Sequence, residues 1–197
     1  MLSAFLAALV LAVAVLATVG TDERGTVAAL RVTARLSFLL FLPAYLGGAV
    51  ATLFGPAWGA AKRHAREFGL AFASAQTVHV GLIAWLCWIG AAPGLGTFLF
   101  FGIALGWMYL LAGLSLGWVR RLLTPGQWSV LMKIGINYIA LAFAADFLGH
   151  PITPDIRYAV AYGPFAVLVV AAFLLRFAAF ARPLAFRAPR AHATPPR

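Results

Sequence analysis

FGLAFASAQTVHVGLIAWLCWIG, residues 68–90, contains no Asp, Glu, Lys or Arg. A helix needs about 20 consecutive apolar residues to cross a hydrocarbon core of about 30 Å, and this stretch provides them. Lys62, Arg63 and Arg66 precede it, and the uncharged turn AAPGLG follows. It reads as a membrane-spanning helix, the third of six.

The same pattern extends in both directions. Upstream, MLSAFLAALVLAVAVLATVG (1–20) lacks the Lys or Arg that a signal peptide carries ahead of its apolar core, so it reads as helix 1. TDERG (21–25) reads as a polar loop. Arg31 and Arg35 then lead into helix 2, SFLLFLPAYLGGAVATLF (37–54), with a kink at Pro43. Downstream, helix 4 runs from Thr97 to about Val119, helix 5 from Trp128 to Leu148, and helix 6 from Arg157 to Phe180. LTPGQ and GHPITPD read as turns. Helix 4 carries Gly102-xxx-Gly106 and Gly113-xxx-Gly117, a spacing that lets helices pack closely.

The composition fits this reading. Hydrophobic residues make up 63% of the 197 residues, charged residues 10%, and mean hydropathy is +0.95. A soluble domain has too little polar surface at that composition. The expected fold class is an all-α integral membrane bundle of six transmembrane helices. It occupies residues 1–181 as one domain, and the basic, Pro-rich residues 182–197 read as a disordered tail.

Net charge is +10 and the pI near 11.1. In a soluble chain that would suggest nucleic acid. Here the cations lie between and after the apolar runs and act as topology signals, so no nucleic-acid partner is expected. One side of the membrane holds Lys62, Arg63, Arg66, Arg120, Arg121, Arg176, Arg182, Arg187, Arg190 and Arg197, with Lys133 nearest to it. The other holds Arg24, Arg31, Arg35 and Arg157, of which Arg31 and Arg35 can snorkel outward. The richer side is therefore expected to be cytoplasmic, with both termini there.

Ionisable groups inside a bilayer are costly, so each is a candidate functional residue. His79 lies about 20 Å along the helix from Arg66, with Gln76 on the same face. A neutral imidazole in a bundle can serve as an axial haem ligand, and it can equally be a histidine bonded to a neighbouring helix. Asp146 and His150 lie four apart near the end of helix 5 and read as interfacial. His64 and His192 stand among solvated cations, and Lys133 can snorkel. Cys87, alone, reads as a packing residue. No Gly-rich phosphate loop, paired intramembrane carboxylates or hydrolase triad is present, so no catalytic residue is assigned.

REFGLAFASAQTVH (66–79) and GLSLGWVRRLLTPGQWSVLMKIGINYIAL (113–141), with RGTVAALRVTARLSFLLFLPAYL (24–46) upstream, resemble the ferric reductase-like transmembrane domain family, in its MsrQ-like branch of haem-binding membrane subunits. The resemblance covers about residues 24–148. It implies a membrane electron-transfer oxidoreductase subunit in the inner (cytoplasmic) membrane, with quinone and a periplasmic or membrane redox partner. It places His79 on a haem ligand, so haem b would be held through its iron by His79. Arg120, Arg121, Trp128 and Leu131 match the family pattern on either side of the turn before helix 5.

Where the family has histidines on helix 5, this chain has Met132 and then Ala145 and Asp146. Met132 lies only about 6 Å past Trp128, too shallow to face His79. A bis-histidine haem is therefore not expected, and the site would be five-coordinate or His–Met. The alternative is a haem-free membrane scaffold or binding subunit that keeps the fold. A small-molecule transporter has little support, because the bundle offers few polar positions.

Overall fold

A computed structural model describes residues 1–115, 121, 123–149 and 156–185. Arg120, His150, His192 and the tail beyond 185 lie outside the described residues. The described chain is helical, with no strand: α1 Leu2–Val19, α2 Glu23–Phe54, α3 Gly59–Trp88, α4 Leu95–Leu114, α5 Pro125–Leu148 and α6 Ile156–Ala185, with a short 3-10 turn at Pro56–Trp58. Six helices are long and apolar enough to cross a membrane. The fold is an all-α membrane bundle whose outer faces would meet lipid.

The starts of α2, α3 and α5 come earlier than the sequence reading has them, and α2 and α5 do so for a capping reason. α2 begins at Glu23 rather than at the apolar run from residue 37, because the Asp22 side chain accepts from the Gly25 N–H at 2.9 Å. Arg24, Arg31 and Arg35 are thus all helical. α3 begins at Gly59, directly after the 3-10 turn that Pro56 opens, so Lys62, Arg63 and Arg66 ride on a helix about 45 Å long. That exceeds the hydrocarbon thickness by several turns. α5 begins at Pro125 rather than Trp128. Thr124 and Gln127 form a capping box, and Pro125 occupies the first turn, where its missing N–H costs nothing. α6 continues to Ala185, into the stretch read as tail.

α2 is the hub, packed against α1, α3 and α6. On one side Ala4, Ala8 and Ala12 of α1 form a stripe at four-residue spacing, seated on Ala29, Ala75, Val78 and Leu82. Small side chains let these helices approach closely where lipid gives no hydrophobic drive. On the other side an aromatic core joins α2, α3, α5 and α6. Phe41 stacks on Tyr45 at 5.3 Å and meets Phe72 at 5.4 Å, while Phe38 meets Phe143 at 5.1 Å and Phe147 at 5.0 Å.

The cations of the basic face also hold helices together. Arg182 donates to the Thr52 and Leu53 carbonyls at the end of α2. Arg66 donates to the Ser115 carbonyl at the end of α4 at 2.6 Å. Both satisfy carbonyls that a helix end leaves free, where a cation is also favoured by the helix dipole. These bonds put the ends of α2, α4 and α6 and the start of α3 on one face. Trp85 Nε1–H donates to the Thr21 carbonyl at 3.0 Å, which ties the end of α3 to the start of α2 on the far face.

The glycines that pack helices are not those of the Gly-xxx-Gly pairs. A Cβ at Gly102, Gly106 or Gly113 would meet open space, and Gly117 lies outside the described residues. A Cβ at Gly47 would stand 2.5 Å from the Ala61 carbonyl oxygen, and one at Gly135 2.8 Å from Leu111 and Trp107. Close approach therefore occurs between α2 and α3 and between α4 and α5.

Candidate functional site: a cavity around His79

α4 leans on α5 rather than on α3, and the space left between α3 and α4 is a cavity of about 730 Å³. That falls within the range of small-molecule and cofactor sites. Pro93, Thr97 and Arg31 stand toward the far face, and the cavity runs inward to Phe72, Met108 and Ile139. Phe98, Phe101, Leu105 and Phe143 make apolar walls.

His79 lines this cavity about 14 Å short of the end of α3 at Trp88. Its Nδ1 lies 2.9 Å from the Thr33 hydroxyl on α2. Thr33 is fully buried, and its single hydroxyl proton goes to the Ala29 carbonyl at 2.9 Å. A hydroxyl that gives its proton to the Ala29 carbonyl accepts from the ring, and in that tautomer the imidazole proton sits on Nδ1. Nε2 is then left with its lone pair and no hydrogen bond to a described residue. A ring fixed through one nitrogen with the other bare is the arrangement that metal-ligating histidines adopt.

Gln76, one turn before His79, lines the same cavity, and its Oε1 is buried with no hydrogen-bond partner. The expectation that both residues face the bundle interior therefore holds. An orphaned acceptor of this kind costs about 1–3 kcal/mol unless something in the cavity donates to it.

Two assignments from sequence change. Asp146, read as interfacial, lines the cavity and has an interaction of its own. Arg31 and Arg35, read as snorkelling cations, also line it. Arg35 turns inward: it donates to the Ala161 carbonyl of α6 at 3.0 Å and lies over the Tyr162 and Phe165 rings at 5.6 and 5.4 Å. The signal for this was a pair of arginines at four-residue spacing on a helix whose start, at the Asp22 cap, was placed too late. Met132 packs against the core and does not line the cavity, whereas Met108 does. Lys133 is exposed, as expected. Cys87 is a half-buried free thiol in the cavity wall. His64 pairs with Glu67 at 2.8 Å on the exposed part of α3.

Toward the basic face the bundle is filled. A void between Phe38, Phe41, Tyr45 and Val169 holds about 10 Å³, room for one water at most. Tyr45 donates to Asn137 Oδ1 at 3.2 Å, and Arg176 lies 4.3 Å over its ring while donating to its carbonyl at 2.7 Å.

Searches against protein-family models, curated proteins and solved structures find no match to this chain.

Proposed function

We propose that this chain is a ferric reductase-like membrane subunit of electron transfer, carrying a single haem b on His79. One observation carries the reading: His79, pinned through Nδ1 by Thr33, offers a bare Nε2 beside a cavity of about 730 Å³. The residues present fit one haem. His79 would be the axial ligand, Phe98, Phe101 and Phe143 would flank the ring, and Met108 is the thioether in the wall. A second histidine is lacking among the described lining residues, so the iron would be five-coordinate or His–Met. When bound, the haem supplies one-electron chemistry. Thr33 holds the His79 tautomer, and the apolar walls exclude water.

The resemblance over residues 24–148 supports the same reading, as does the basic face, which would be cytoplasmic in the inner membrane with both termini there. A quinone or a periplasmic or membrane redox partner would exchange electrons with the site. The Pro93, Thr97 and Arg31 end of the cavity lies toward the far face, so the donor is expected to approach from the lipid or from that face.

The haem-free scaffold or binding subunit has one specific observation in its favour: Met132 stands where the resembled family has a histidine. The test is to express the full chain with ample haem, beside a His79→Ala variant, and to measure haem per purified chain. The proposal expects haem in the parent and at least a tenfold weaker hold in the variant. A parent without haem supports the scaffold, and equal haem in both proteins removes His79 as the ligand.

A further inference from the structure

Arg31 and Arg35 are four residues apart on α2 and share the cavity wall with His79. By helical rise they lie about 12 Å and 18 Å from the start of the helix. Arg31 is exposed and Arg35 half-buried; a cation drawn into the bundle, as Arg35 is, is costly to keep, and the contacts of both within the protein leave donors over. Arg35 is held by the Ala161 carbonyl and by the Tyr162 and Phe165 rings, but a guanidinium has five N–H donors and this bond accounts for a single one. Arg31 makes no hydrogen bond or salt bridge to the described residues. Asp146, the acid on the same wall, has an interaction of its own.

The geometry points to a carboxylate-binding mouth: Arg31 and Arg35 together hold the acid group of a ligand whose apolar body fills the cavity. Guanidinium groups match carboxylates with paired, charge-assisted hydrogen bonds. Inward of the arginines the walls are apolar side chains, Phe101, Leu105 and Met108 among them, which suits a hydrocarbon or aromatic body. Arg35, already oriented by α6, sets the position of the acid. Arg31, nearer the far face, closes over it. Two molecules share this chemistry, the propionates of haem and the carboxylate of a fatty acid. The inference rests on the cavity of the proposed function but not on which of the two fills it.

The test compares acid with ester in the detergent-solubilised full chain. Haemin and haemin dimethyl ester are titrated by absorption. A brominated fatty acid and its methyl ester are titrated by quenching of tryptophan fluorescence. The inference expects the acid form of at least one pair to bind about tenfold or more tighter than its ester, as loss of a charge-assisted pair would give. Arg31→Gln, which removes no hydrogen bond to a described residue, should erase most of that preference. Arg35→Lys, which keeps the charge but loses the fork, serves as the second variant. Acid preference in the haem pair alone identifies the propionates as the ligand's acid, and preference in the fatty-acid pair alone identifies a lipid acid; either supports the mouth. Equal binding of acid and ester, a preference unchanged in both variants, or no binding in either pair overturns it. Haemin and its ester binding equally well, with no acid preference in the fatty-acid pair either, would sink the mouth while leaving the haem reading intact, whereas loss of haem in His79→Ala speaks to that reading alone.

Discussion

Thr33 and Ser37 are one turn apart on α2, both fully buried, and they differ in what their hydroxyls do. Thr33 Oγ1 links the Ala29 carbonyl to His79 Nδ1, while Ser37 Oγ has no partner. Thr33→Val leaves the His79 proton without that acceptor and is expected to cost about 1–3 kcal/mol. If haem is bound, loss of the bond that orients the ring should weaken it about tenfold to a hundredfold. Ser37→Ala removes a buried polar atom that bonds nothing, so stability should be unchanged or rise by about 1 kcal/mol. Thermal unfolding of the two variants in one detergent checks the contrast, and a larger loss for Ser37→Ala would contradict this account. His79 itself was legible as an ionisable group alone in a long apolar run. Thr33 was not, because a threonine among apolar residues has no period or motif to mark it and its partner is 46 residues away.

The elements were legible where they are apolar and misjudged where they are capped. Hydropathy locates the six spans, but it has no term for Asp22 or for the Thr124–Gln127 box, so α2 and α5 start earlier than the apolar runs do. Glycine spacing misled in a similar way. Gly-xxx-Gly is a property of one helix, and close approach depends on what lies opposite. Gly47 and Gly48 are neighbours in sequence, yet a Cβ at Gly47 would strike the α3 backbone and one at Gly48 would meet nothing. Gly47→Ala should therefore destabilise by about 1–3 kcal/mol. Gly48→Ala should be neutral or slightly stabilising, through helix propensity. Chemical denaturation in mixed micelles distinguishes the two, and equal effects would mean that α2 and α3 do not pack as described.

Across the whole molecule, the cavity was the part least readable from sequence. It arises because α4 packs on α5 and leaves α3 apart, a tertiary choice that no local pattern encodes. Its polar groups come from α2, α3 and α5, and of these Arg31, Arg35 and Asp146 each alone read as snorkelling or interfacial residues. Only their convergence, Arg31, Arg35, Gln76, His79 and Asp146 around one space, marks a site. The orientation of the bundle follows from its charges: reporters fused after Pro93 and after Arg197 should report opposite sides, the second cytoplasmic. Both reporting the same side would refute six spans with this topology.

The central claim is one haem, held by a single histidine. It is tested most directly by titrating the purified full chain with haemin to saturation and recording stoichiometry and spin state together. The account predicts one haem per chain in a high-spin, five-coordinate form that is lost in His79→Ala. A saturated, low-spin bis-histidine spectrum, or two haems per chain, would contradict it.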